Sequence, residues 1–229
     1  PSFDDKILNE KEALDPKVIS NGLIHLTIRS WLLRQFGQNI LIDCCVGAHK
    51  NRPNHPNWHK RDGKGWLKAL TKEGLRPEDI DIVMCTHLHA DHVGWNTQLV
   101  GDDWVPSFPK ARYLFGEKEW AHWRVEPQVY GDVVGDSIQP CIDAGLAELV
   151  QSDMRLNDAV WLEPTPGHTP GHHSVRISSN GADAVITGDL CHHPIQFQLP
   201  EWSSEPDVDK PAPPETPRHR NGGRHGELH

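Results

Sequence analysis

No stretch of the chain approaches the ~18 consecutive apolar residues that a membrane-spanning helix requires, so no spanning segment is expected. Basic residues are in the minority. Lys and Arg number 23 against 32 Asp and Glu, giving a net charge of −9 with histidines neutral, and no basic patch is visible before the tail. That balance argues against a nucleic-acid partner. Cysteine is sparse and unpatterned: Cys44, Cys45, Cys85, Cys141 and Cys191 are odd in number and lack framework spacing. They read as reduced thiols in a cytoplasmic compartment. No signal peptide is visible, although the chain opens at Pro1 rather than Met, which leaves room for a removed leader. Hydrophobic residues make up 36% of the 229, low but enough for a core. Histidine is in excess, at 16 residues, and metal chemistry would explain part of it.

The most informative stretch is Ile82–Asn96, IVMCTHLHADHVGWN. It starts in an apolar run, Ile80–Cys85, that reads as a buried strand. It then breaks into His87, His89, Asp91 and His92, potential metal ligands just past a strand end. His87 and His89 are two apart, so in extended backbone they point the same way. Asp91 and His92 fall where a helix can begin, and approach the same pocket from another angle. Imidazoles with a carboxylate suit zinc or a similar borderline metal.

This stretch resembles the HxHxDH signature of the metallo-β-lactamase superfamily. Three further landmarks follow the family's order: Leu41-Ile42-Asp43 as an early strand ending in Asp, Pro164–His172 (PTPGHTPGH) as its GHTPGH loop, and Thr187-Gly188-Asp189 as its strand-ending GD. The wording of DHVGWNT and WVPSFPKARYL is most similar to the branch of lactonases and organophosphate hydrolases. The resemblance implies a four-layer αββα sandwich of mixed α/β class. It assigns metal ligation to His168 and makes Asp189 a carboxylate bridging two metals. His172 and His173 become neighbours rather than ligands, and Asp43 supports the site from behind.

Around these landmarks the pattern predicts a hairpin-like pair, Trp31–Phe36 and Asn39–Asp43, after an alternating Gly22–Ser30 segment. Ala48–Lys64 is a long polar loop holding His49, His55, Trp58 and His59, which as a group could wall or cover the pocket. Gly65–Glu73 reads as an amphipathic helix closed by Gly74, and Asp91–Leu99 as a short helix or turn. Ala111–Phe115 reads as a strand, Glu117–Val125 as a helix and Ser137–Leu149 as another helix. Trp95, Trp104, Phe108, Trp120 and Trp123 are either core or an apolar substrate wall. Val160–Leu162, Ser174–Ser178 and Ala184–Thr187 read as strands, the last two joined at Asn180-Gly181.

The resemblance thus implies a first metal on His87, His89 and His168, a second on Asp91 and His92, and Asp189 with a water or hydroxide between them. Two Zn2+ per chain are expected, since zinc lowers the pKa of bound water to about 7. Asp91 could also shuttle a proton. His192, or His193 beside it, could donate one to the leaving group as a general acid. The expected activity is hydrolysis of small carboxylic esters or lactones. β-Lactams and phosphotriesters are alternative substrates, and iron-based oxidation of a sulfur compound is a further reading of HxHxDH. A reading of another class is a catalytically impaired remnant of the fold.

The family-like text stops near Pro200–Ser204, which predicts a domain over residues 1–204 and an extended tail over 205–229. That tail, rich in Pro, Arg, Gly and His, lacks the apolar residues of a packed unit. The family's usual last histidine ligand has no counterpart there, as after a frame change or truncation. The second metal would then be weak, absent or completed by His192, His193, His225 or His229. A sandwich incomplete at its C-terminal end would expose apolar surface, which predicts a homodimer through that face.

Overall fold

The computed structural model describes residues 26–192 and Gln196. It also describes the backbone of two short paired strands, Ile19–Ser20 (β1) and Leu23–Ile24 (β2). Residues 1–18, His193 and the 205–229 segment with His225 and His229 lie outside the described residues. Of the alternating segment at 22–30, Leu23–Ile24 forms β2, and residues 26–30 have no regular structure.

Strands β3 (Trp31–Gln35) and β4 (Gln38–Ile42) form the expected hairpin. Its turn falls one residue earlier than the pattern suggested, on Phe36 and Gly37, with φ of 51° and 75°. Two positive φ values in a two-residue loop match the twist of the flanking strands. The chain continues through α1 (Lys64–Lys72), β5 (Ile82–Met84) and α2 (Ala90–Val93). Next come β6 (Thr97–Val100), β7 (Asp103–Pro106), β8 (Arg112–Gly116) and α3 (Glu117–Trp123). The described part closes with α4 (Gln139–Asp143), β9 (Ala147–Val150), β10 (Val160–Pro164), β11 (His173–Ser179) and β12 (Ala182–Ile186).

Two sheets face one another. The larger runs in the order β3-β4-β5-β8-β9, parallel from β4 onward, and the smaller is the antiparallel β10-β11-β12. The alternation of side chains along each strand divides the core in two. Ile40, Ile42, Ile82, Met84 and Leu114 pack against Val160, Leu162 and Val175 of the smaller sheet. Their neighbours Leu41, Val83, Tyr113 and Phe115 turn the other way and meet Leu70 of α1, Trp123 of α3 and Cys141 of α4. Strands buried on both faces read as near-continuous apolar runs, which is why Ile80–Cys85 shows no alternation.

The result is the expected mixed α/β architecture, with helix, sheet and sheet layers among the described residues. The outward face of the smaller sheet carries Trp161 beneath the Arg155 guanidinium, and Arg176 paired with Glu163.

Two elements depart from the sequence reading. The helix expected over Ser137–Leu149 is a π-helical turn at Val134–Ile138 followed by α4, and it stops at Asp143. Gly145 takes φ 69°, and the Gly145 and Leu146 amides donate back to the carbonyls of Ile142 and Cys141, closing the helix. Ala147–Val150 then joins the open edge of β8, so Leu149 belongs to a strand. The segment after Asn96 forms the β6–β7 hairpin, which the pattern did not suggest.

Candidate metal centre

β5 delivers Thr86–His92 beyond the carboxyl end of a parallel strand, the usual place for a ligand site in such sheets. There the buried His87 Nε2 lies 3.1 Å from His89 Nδ1, which lies 2.9 Å from His168 Nε2. These nitrogens converge within the spacing of a candidate metal group. Their separations are close to the edge of a tetrahedron around an ion bound at 2.0–2.1 Å, about 3.3 Å. Burial and then the neighbouring imidazoles hold His87 and His89 well below the ordinary histidine pKa, so both stay neutral and able to donate a lone pair to a cation. The donor set therefore fits a divalent metal.

The residues behind the imidazoles fix which nitrogen faces inward. Asp43, at the end of β4 with φ 56°, is buried. Its Oδ1 accepts the Thr86 amide at 2.8 Å and its Oδ2 accepts His92 Nδ1–H at 2.9 Å. The Thr86 hydroxyl donates to Asp43 and accepts from His87 Nδ1 at 3.1 Å. This network leaves Nε2 of both His87 and His92 directed into the site. His172 acts on the other wall: its Nδ1 hydrogen-bonds Thr165, and its Nε2 accepts the Asp189 amide at 3.0 Å. Gly188 makes that approach possible, since an added Cβ would sit 2.7 Å from His172 Nε2 and 2.8 Å from Thr86, at φ 55°.

Asp189 lies between two groups of donors. Its Oδ1 is 3.3 Å from His92 Nε2, while its Oδ2 is 3.4 Å from His168 Nε2 and 3.9 Å from His87 Nε2. Burial alone would raise the Asp189 carboxyl, but the surrounding histidines, His92 foremost, outweigh it and hold the group well below the usual range. Burial likewise pushes the His92 imidazole down, yet Asp189, Asp43 and Asp91 together carry it well above its ordinary value. Burial raises Asp91.

All six expected ligands come together, though not equally. Asp91 is the loosest, with its carboxylate 3.7 Å from His92 Nε2 and outside the tight donor groups. His192 Nε2 sits 3.1 Å from Asp189 Oδ2 and groups with His168 and Asp189, on the opposite side of that carboxylate from His92.

The segment bearing Asp91 and His92 is bound edge-on to the stretch after β4. The Cys44 amide donates to His92 O at 2.6 Å, Gly94 N to Cys45 O at 2.7 Å and Trp95 N to Cys44 O at 2.8 Å. The two backbones touch: a Cβ on Gly94 would lie 2.0 Å from the Val46 carbonyl carbon, and one on Gly47 would lie 2.5 Å from Gly94 O.

Of the loop at 48–64, His55 and Trp58 stack on each other and pack at a tilt against Tyr130, whose ring is 5.8 Å from that of His89. His59 instead accepts the Arg52 amide, and His49 stands exposed at φ 60°. The loop is anchored by buried charges. Arg52 makes a two-pronged pair with Asp136 at 2.6 and 2.8 Å. Lys50 donates to Thr97 Oγ1 and Asp136 O at 2.6 Å each, with its ammonium 3.6 Å from the Trp104 ring centre.

The aromatic residues weighed as a substrate wall separate accordingly. Trp95 stacks on Trp66 in the core, Phe108 packs beside them, Trp104 covers Lys50, and Trp120 packs against the core cluster. Trp123 alone of this set has a ring contact with a site histidine, His89 at 5.0 Å. The five cysteines are all free. Among the described residues no helix is long and apolar enough to cross a membrane.

Sequence reasoning missed Glu119. It stands on α3, fully buried, with its carboxylate against the backbone of both histidine loops.

Comparison with known proteins gives consistent matches. The model of the metallo-β-lactamase superfamily matches residues 26–221. An N-acyl homoserine lactonase of Bacillus cereus is 29% identical over 121 residues, which cover 52% of this chain and 42% of that protein. The chain thus spans less than half the length of this curated relative. The solved structure of hydrolase AbOPH in the β-lactamase superfamily aligns with TM-score 0.71 and 25% identity, over 94% of this chain and 71% of that one. AidC, a dizinc quorum-quenching lactonase, has the same fold with TM-score 0.65 and 23% identity, over 85% of this chain and 67% of that one.

Proposed function

The chain belongs to the metallo-β-lactamase superfamily, and from that membership we propose that it is a zinc-dependent hydrolase of small carboxylic esters or lactones. One observation carries the reading: three buried imidazole nitrogens converge beside a carboxylate whose two oxygens face different histidines. His87, His89 and His168 would hold a first metal and Asp91 and His92 a second, with Asp189 placed between the two groups. Zinc, when bound, supplies a water that ionises near neutral pH and an electrophile for the substrate oxygen.

The remaining roles fall to the chain itself. Asp43 and Thr86 hold His87 and His92 in the tautomers that present Nε2. His172 holds the Asp189 backbone. Asp91, partly open to solvent, carries a proton between the site and water. His192, with its Nε2 beside Asp189, donates a proton to the departing alkoxide as a general acid. Trp58 and Tyr130 offer an apolar surface next to His89 for the acyl side of a substrate. The preference for esters and lactones follows the likeness to the Bacillus cereus lactonase and to AidC. A homodimer through the C-terminal face also remains part of this proposal, and light scattering that gives a monomer at high concentration would refute it.

A second reading, a one-metal or impaired site, is favoured by the looser placement of Asp91. Metal content per chain, measured by elemental analysis beside p-nitrophenyl acetate hydrolysis, decides between them. Two zincs with chelator-sensitive hydrolysis support the first reading. One metal or none, with no activity restored by zinc, supports the second.

A further inference from the structure

Glu119 is fully buried, and among the described residues no cationic side chain pairs with it within ion-pair distance. A carboxylate in that position is retained only if its oxygens are well hydrogen-bonded. Its Oε1 accepts the Gly171 amide at 2.8 Å, and its Oε2 accepts the Leu88 amide at 3.1 Å and Trp123 Nε1–H at 2.9 Å. The two amides come from different loops. Leu88 sits between His87 and His89, and Gly171 closes the turn that begins at His168. Contact at the second loop is tight, since a Cβ on Gly171 would lie 2.5 Å from the Glu119 amide nitrogen. Trp123, four residues on and so on the same face of α3, is held by the same carboxylate and packs on the His89 ring.

We propose that Glu119 is a positioning residue: one buried carboxylate clamps the two histidine loops together and so sets the spacing of His87, His89 and His168. The amide of Leu88 cannot shift without moving both flanking imidazoles. The amide of Gly171 cannot shift without loosening the turn that carries the third. The clamp rests on the reading of these histidines as metal ligands, and it adds a function for a residue that touches neither metal nor substrate.

The test uses zinc itself as probe. Metal-free full-length protein is titrated with zinc against a chromophoric chelator, for wild type, Glu119→Gln and Trp123→Phe. Glutamine keeps the shape but turns an amide group toward an N–H, so one loop loses its acceptor. Its zinc affinity is expected to fall roughly 10–100-fold, the range seen when groups supporting metal ligands are lost. Trp123→Phe removes the bond that stays within α3 while keeping an aromatic ring against His89, and its affinity is expected to hold within about threefold. Glu119→Gln with unchanged affinity, or equal losses in both variants, overturns the clamp. If Glu119→Gln does not fold, hydrogen exchange on the metal-free wild type decides: Leu88 and Gly171 amides should both be strongly protected, and rapid exchange at either refutes it. Failure of wild type to bind zinc would instead refute the metal-centre reading.

Discussion

Asp136→Ala tests the anchoring of the 48–64 loop, because it leaves two cations in the interior without their counter-charge. Lys50 and Arg52 are 0% and 1% exposed, and Asp136 is their carboxylate partner. The two respond differently to its loss. Burial already draws the Lys50 ammonium down to about 7 against the pull of Asp136, so without that pull it sheds its proton near neutral pH. Arg52 has no such escape, since a guanidinium stays protonated in proteins.

The cost therefore falls on Arg52 and should be of the size seen when one partner of a buried pair is removed, about 3–5 kcal/mol. For a chain of this size that is a fall in Tm of roughly 6–20 °C. Replacing the pair together, Arg52→Met with Asp136→Leu, removes both charges while leaving Lys50 its bonds to Thr97 and to the backbone carbonyl of residue 136. That double variant should lie within about 2 kcal/mol of wild type. Thermal and urea unfolding of the three proteins at neutral pH measure both quantities. A loss under about 1 kcal/mol in the single variant, or a double variant as unstable as the single one, would refute the argument.

Further outcomes follow from the same structure. Because the folded-state pKa of Lys50 lies below its unfolded value, the unfolded chain binds more protons above pH 7, so this group adds stability as pH rises from about 7 toward 10. The slope should vanish in Lys50→Met, and equal pH–stability slopes in the two proteins would count against it. Asp43→Asn replaces the acceptor of His92 Nδ1–H and should weaken metal binding roughly 10–100-fold, read by chelator competition. An unchanged affinity would show that His92 needs no such support. Gly188→Ala forces a Cβ against His172 and Thr86 at positive φ, and should cost about 1–3 kcal/mol and displace Asp189. Unaltered stability and zinc binding in that variant would contradict the close approach.

Much of the candidate site was legible because metal chemistry restricts the types and spacing of side chains that can serve as ligands. His87, His89, Asp91 and His92 announce themselves by type and by following an apolar run. His168 and Asp189 were reachable through the family resemblance, and Asp43 through its place at a strand end. Glu119 had no such signal. In the string Glu117-Lys118-Glu119-Trp120 it looks like a solvated helix residue, and its partners are backbone amides, which leave no mark in a sequence. Lys50 and Arg52 were hidden for a similar reason, since a polar loop conceals which of its charges turn inward to meet Asp136. The misread helix at 137–149 came from the apolar spacing of Ile138, Cys141 and Ile142 running on to Leu149. Gly145 and the open edge of β8 decided that segment, and the edge exists only once the sheet has formed.

The contact of Gly47 with Gly94 sets where this protein can be re-engineered. At Gly47 and Gly94 the two segments leave no room for a Cβ, so a library spread over these positions would return mostly unfolded members. The rim behaves differently. His55 and Trp58 meet Tyr130 through their rings, on a loop whose root is fastened at Lys50 and Arg52. Diversity placed there can reshape what is admitted to the centre without disturbing the crossing beneath it, so substrate range and metal retention should be separable in a selection experiment.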